Sequence, residues 1–268
     1  MWLGVITGAR YIYCVVPSSG TGLAVCAPAL DGGPVQPICH EDIAALTHAC
    51  APEPYRGSET EVCEWIAAHN AVVEEAWKSA ETVLPMTFDV IVRADSRHSA
   101  EANVAGWLEE HHDALRSRLR YLRGRVEVGV QILRDAEPLS ASETPGAGSG
   151  RVRPRGHAYF TRHQLRREQR ERLEQEAEAE FRRHYEMLAS MVGAVQVNRR
   201  RAVPGKMTVV DLSLLADKAG VRRVGDYLDR VRREAGAEVR FTGPWPPYSF
   251  ASTFGSPGMQ QSSQEPCQ

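Results

Sequence analysis

The chain has 268 residues, 43% hydrophobic and 25% charged, which is enough for two modest cores. Its formal net charge of −2 gives no bulk electrostatic attraction to nucleic acid or to an anionic membrane, and no apolar run approaches the roughly 18 residues that cross a bilayer. Six cysteines without a secretion signal read as reduced thiols of a cytoplasmic protein rather than a disulfide framework.

The opening "MWLGVITGA" is apolar but short and has no basic flank, so residues 1–9 are expected to form an extension ahead of the folded chain. "RYIYCVV", Arg10 to Val16, is β-branched and aromatic and stops at the turn cluster "PSSGTG", which makes it a first strand. "PVQPICHEDIAALTHAC" reads as strand, turn and strand, with the bend at His40 to Asp42. From Ser58 the apolar positions Val62, Trp65, Ile66, His69, Val72, Val73, Ala76 and Trp77 recur three and four apart behind a Ser58–Glu61 capping box, predicting a helix to about Glu81. "VLPMTFDVIVR" predicts a strand whose Pro85 suits an edge or a bulge. Val104, Trp107, Leu108, His111, Leu115, Leu119 and Leu122 form a second helical stripe, broken at Gly124, and "VEVGVQILR" returns as a strand. This order suits an antiparallel sheet with both helices on one face, a ferredoxin-like α+β domain over residues 10–136.

"EPLSASETPGAGSGRVRPR" has no apolar period, and residues 137–154 are expected to be a flexible linker. A smaller α+β domain is expected over 155–250. It opens with a long helix whose Leu165, Leu173, Ala177, Phe181, Tyr185, Leu188 and Val192 share one face, with Arg and Glu at pairing distances on the others. The strand "KMTVVDLSLLAD", the helix "RVGDYLDRVRREAG" and the strand "AEVRFTG" follow, and residues 251–268 read as a disordered tail.

Between the last strand and the tail stands "GPWPPYSF", 243 to 250. Pro244, Pro246 and Pro247 fix φ and remove three backbone donors, so the stretch is extended or turned, and Gly243 can supply the turn. Trp245, Tyr248 and Phe250 are the candidate structural or partner-binding residues. They either close a core or are presented to a partner on a proline-braced arm, and closure is the expected arrangement because three neighbouring exposed aromatics promote aggregation.

No catalytic residue is identified. There is no phosphate-binding glycine loop, dinucleotide fingerprint or nucleophile elbow. "EEHHD", Glu109 to Asp113, points in all directions on a helix, and His111 and His69 fall on apolar stripes, where a satisfied buried imidazole is expected. Cys39, His48, Cys50 and Cys63 are metal-ligand types, but without a close Cys-x-x-Cys pair they read as small hydrophobes and no metal or other cofactor is expected. The interleaved glutamates of the long helix cancel much of its basic field, so no nucleic acid is expected as partner.

"YIYCVV" at 11–16, "WIAAHNAVVE" at 65–74, "VLPMTF" at 83–88, "RGRVEVGVQ" at 123–131, "GHAYFTR" at 156–162 and "GPWPPYSF" at 243–250 resemble, in this order, motifs of the gas vesicle protein F/L family. The chain departs from that pattern at Thr87 and Asp89, where Arg and Gly are more usual, and at Gln131, where Lys is usual. The resemblance implies a non-enzymatic accessory protein of gas vesicle formation, cytoplasmic and associated with the vesicle. Its implied partners are the small, hydrophobic gas vesicle shell protein and other accessory proteins; it would assist shell assembly or form a minor part of the vesicle. An enzyme would instead show a pocket of converging titratable groups, and a nucleic-acid binder a basic stripe.

Overall fold

The computed structural model describes residues 8–18, 27–80, 82–135, 156–199 and 203–251, with only the backbone described along much of the first half of the long helix. The expected linker 137–154 lies outside the described residues, as do residues 1–7 of the expected extension and all but Ala251 of the expected tail. In chain order the elements are β1 (Ala9–Pro17), β2 (Gln36–His40), β3 (Ile43–Cys50), α1 (Glu59–Ala80), β4 (Leu84–Pro85), β5 (Ile91–Arg93), α2 (Ala100–Leu122), β6 (Val126–Asp135), α3 (Gly156–Ala189), β7 (Ala194–Val197), β8 (Lys206–Ala216), α4 (Lys218–Val231) and β9 (Ala237–Trp245), followed by a single 3-10 turn at Tyr248–Phe250. The fold class is α+β. Contacts divide the chain into two units, the first running to Glu127 and resuming at Pro244, the second spanning Val128–Gly243.

In the first unit the strand order is β2-β3-β1-β4, with β5 also on β1. β2 and β3 form the expected hairpin, and β1 lies antiparallel to β3 with a bulge between Ile12 and Cys14. The bulge shifts the alternation by one residue, so that Ala9, Tyr11 and Tyr13, then Cys14 and Val16, join one cluster with Val72, Val73 and Ala76 of α1. Arg10, on the other face, donates from Nε to Glu101 of α2 at 2.8 Å. The two helices therefore cover opposite faces of the sheet, not one face as expected. β1 is accordingly buried almost throughout, which explains why "YIYCVV" has no polar alternation.

α1 begins at the expected capping box: Ser58 N–H and Oγ–H donate to Glu61 Oε2 at 2.8 and 2.7 Å. The strand expected over Val83 to Arg93 is two short pieces. Between them Asp89 has φ 72°, left-handed backbone that cannot continue a ladder.

The ferredoxin-like plan needed β6 to complete the first sheet, and the structure corrects this: β6 lies between β8 and β9 in a second sheet of order β7-β8-β6-β9. An apolar alternation tells a strand which face is buried but not which neighbour it pairs with, so the sequence pattern was compatible with either sheet. β6 belongs to the second unit from Val128 on, where the expected boundary lay near residue 136. β7, four residues long and antiparallel to β8, carried too little pattern to be recognised. Leu188, Val210, Leu212, Leu214, Val224 and Leu228 are buried in this unit. His184 of α3 is buried with Nδ1 2.6 Å from the Tyr227 hydroxyl, and Arg134 of β6 pairs with Glu180 and Glu234 at 2.7 and 2.6 Å. Gln131 donates from Nε2 to the Asp211 carboxylate at 2.9 Å.

Candidate interaction surface

The motif at 243–250 is neither wholly core nor wholly exposed. β9 continues to Trp245, past the point where the prolines were expected to stop it, because β9 is the outer strand and Pro244 need not donate to a further neighbour. Gly243 takes φ 109°, backbone that favours glycine, but it lies within β9, and the turn expected there falls instead at residues 246–250. Pro246 and Pro247 are buried; Tyr248 N–H closes onto Pro246 C=O at 2.8 Å in a γ-turn centred on Pro247, and Phe250 N–H donates to Pro247 C=O at 3.2 Å in the 3-10 turn.

Within the first unit this turn is held at three points. The Tyr248 hydroxyl donates to Asn70 of α1 at 2.9 Å while its ring packs on the cluster around Val72 and Cys14. Ser249 N–H donates to the buried Glu127 at 2.8 Å. Arg118 Nε of α2 donates to Phe250 C=O at 2.8 Å, and Phe250 is buried. Phe250 is thus buried, and Tyr248 is partly buried against the core of the first unit. Trp245 is not: it is 48% exposed, at the end of an outer strand. Asn70, Arg118 and Glu127 were not recognised in the sequence, because polar partners far apart in the chain leave no periodic mark.

Beneath this turn lies a buried polar cluster. Tyr11 and Tyr13 point to the same face of β1 and make matching relays. The Tyr11 hydroxyl accepts from Asp89 N–H at 3.1 Å, so its proton faces His69 Nδ1 at 2.8 Å. The Tyr13 hydroxyl accepts from Leu30 N–H at 3.1 Å and faces His48 Nδ1 at 3.0 Å, while His48 Nε2 meets the Tyr55 hydroxyl at 3.1 Å. Both imidazoles therefore accept at Nδ1 and carry their proton on Nε2. Burial lowers the His69 pKa to about 4, with the Met86 backbone opposing, and burial also lowers that of His48. Burial raises the tyrosine pKa values. Such a cluster holds neutral groups neutral. It fixes strand to helix and offers no charged acid, base or nucleophile to a substrate.

The four metal-ligand types from the sequence are dispersed in role. Cys39 and Cys63 are exposed, Cys50 is buried, and His48 is engaged at both nitrogens by tyrosines. Among the described residues Glu41, Asp42 and His112 do converge at the β2–β3 turn. There His112 Nε2 and Arg116 Nε each sit 2.7 Å from an Asp42 oxygen, so both carboxylate oxygens are already held by cationic or donor groups. His111 leans on Trp107 and faces its carbonyl at 3.0 Å, so the "EEHHD" residues do not share a site. On α3, Arg172–Glu176 and Arg182–Glu178 pair along the helix surface. No helix among the described residues is long and apolar enough to cross a membrane.

The family model "Gas vesicle synthesis protein GvpL/GvpF" matches residues 9–252. Gas vesicle protein L1 of Halobacterium salinarum is 27% identical over 267 residues, covering 93% of this chain and 92% of that protein. Gas vesicle protein L of a Streptomyces species is 31% identical over 257 residues, covering 90% and 92%. The crystal structure of the gas vesicle protein GvpF from Anabaena superposes with a TM-score of 0.65 at 19% identity, covering 92% of this chain and 98% of that one. GvpF from Microcystis aeruginosa gives 0.59 at 17% identity, covering 91% and 99%.

Proposed function

Because the chain belongs to the gas vesicle synthesis protein GvpL/GvpF family, its role is an accessory one in gas vesicles, and we propose that it fills that role by binding the small, hydrophobic shell protein in the cytoplasm and assisting its assembly. The observation that supports this reading is the half-exposed Trp245, held at the end of an outer strand while Tyr248 and Phe250 anchor the residues that follow it. An indole fixed in this way presents a large apolar surface with little entropy left to lose on docking, which suits a hydrophobic partner. The role is one of binding rather than catalysis, and the buried Tyr11–His69 and Tyr13–His48 pairs, which stay neutral, accord with that.

The test is capture of the shell protein by the purified full chain. Trp245→Ala should change the unfolding free energy by less than about 1 kcal/mol, since the side chain is half in water, and should weaken capture about tenfold or more. Capture by the unaltered chain should persist as salt is raised to roughly 0.5 M, because an apolar contact is not screened. Undiminished capture by a folded Trp245→Ala variant would remove the residue from the interface, and loss of capture in salt would replace the apolar mode with an electrostatic one.

A further inference from the structure

A second surface, independent of Trp245, lies along the β5 edge of the first sheet. Ile12 N–H donates to Val90 C=O at 2.9 Å, Arg10 is paired with Val92, and Ala94 N–H donates to Gly8 C=O at 2.6 Å. In an antiparallel ladder the groups of Val90, Val92 and Ala94 thus face β1, and those of Ile91 and Arg93 face away. The outward Arg93 carbonyl accepts from Asn103 Nδ2 of α2 at 2.8 Å. This leaves the Ile91 N–H and C=O and the Arg93 N–H without a partner among the described residues.

These groups open into a groove of about 1150 Å³ between β5 with its flanks and one face of α2. Two features of the helical wall point to an occupant. Gly106 lines the groove, and a Cβ placed there would meet nothing within 4 Å, so room has been left that no part of the described chain uses. Trp107, only 7% exposed, forms part of the same wall and gives it an apolar floor. The lining is acidic: Asp89, Asp95 and Glu110 stand against one arginine, Arg93, whose Nε is already turned to Pro52 C=O at 2.7 Å.

We propose that this groove receives an extended segment of a partner protein in which apolar side chains alternate with lysine or arginine, added to the sheet as a strand beside β5. Its backbone meets the three unpaired groups of Ile91 and Arg93, and its basic side chains answer the three carboxylates. Lysine-bearing strands are selected over acidic ones by charge, and a segment interrupted by proline is excluded by its missing donor and fixed φ.

The probe is a blocked seven-residue peptide of alternating valine and lysine, titrated onto the full chain, with its valine–glutamate counterpart and a centrally proline-substituted form as controls. The valine–lysine peptide should bind, slow hydrogen exchange at the Ile91 and Arg93 amides, and lose affinity as salt rises, whereas both controls should bind at least about tenfold more weakly. Gly106→Leu fills the groove with a good helix former and should leave the melting temperature unchanged or higher while abolishing binding. Glu110→Lys, at an exposed position, should weaken the valine–lysine peptide and is the second variant should Gly106→Leu misfold. Failure of the valine–lysine peptide to bind, equal binding of the glutamate peptide, or unchanged affinity in folded Gly106→Leu would each overturn the proposal.

Discussion

At Asp89 the backbone takes φ 72°, a conformation that costs an L-residue roughly 1–2 kcal/mol and that glycine adopts freely. The carboxylate offsets part of that cost by accepting from Tyr55 N–H at 3.1 Å. Asp89→Gly should exchange strain for a lost bond and shift stability by less than about 1 kcal/mol, while Asp89→Val keeps the strain without the bond and should cost about 2 kcal/mol or more in urea unfolding. His69 makes a second prediction. Its folded pKa of about 4 lies below the ordinary 6.5, so in that window the unfolded chain binds more protons. The associated stability is fully present above pH 6.5 and is lost as pH falls toward 4, on the order of 3 kcal/mol in all, and the depression at His48 acts in the same direction. Melting temperatures at pH 7 and about pH 5 should therefore differ more for the unaltered chain than for the double variant Tyr11→Phe, His69→Leu; equal differences would assign the acid sensitivity elsewhere. A buried, neutral His69 was legible from its place on an apolar helical stripe. Its partner Tyr11 was not, since 58 residues separate them and nothing local records the contact.

The helices were the most legible elements, because three- and four-residue spacing and caps are local properties. α4 shows how much one cap contributes: Asp217 accepts from Gly220 N–H at 2.6 Å at the first turn. Asp217→Ala should cost about 1 kcal/mol in urea unfolding and Asp217→Ser only a few tenths, as both aspartate and serine satisfy that amide; equal losses would mean that charge rather than capping is responsible. Strands were recognised where they are long, as with β1 and β8, and missed or misjoined where pairing decides. β7 is four residues, β4 and β5 are parted by one left-handed residue, and β6 alternates equally well for either sheet. The placement of α1 and α2 on opposite faces was recorded in β1 all along, as apolar residues on both sides of the strand, but a short run of that kind also fits a strand covered on one side only.

At the scale of the whole molecule, the first unit is discontinuous: residues beyond Pro244 supply part of its structure. Removing everything after Trp245 deletes Tyr248 from the α1 cluster, Phe250 from the core and the partner of buried Glu127. Such a truncation should cost the first unit about 3 kcal/mol or more, by loss of a buried aromatic and exposure of an unpaired carboxylate. Hydrogen exchange should then quicken in α1 and α2 while β8 and α4 keep their protection; uniform loss across both units, or none, would contradict the division. Sequence reading found the aromatics of this motif and not their destination, because proline spacing sets a local shape and the choice of core is made by Asn70, Arg118 and Glu127.

That discontinuity has a consequence during synthesis. Ser249, which pairs with Glu127, follows it by 122 residues, an interval of about 6–24 s at the usual roughly 5–20 residues per second of translation. Through that interval the seat of Tyr248 and Phe250 lacks its occupants and Glu127 lacks Ser249. A chain cut short before Tyr248 leaves that seat empty, so the completed core distinguishes copies translated through Phe250 from shorter ones.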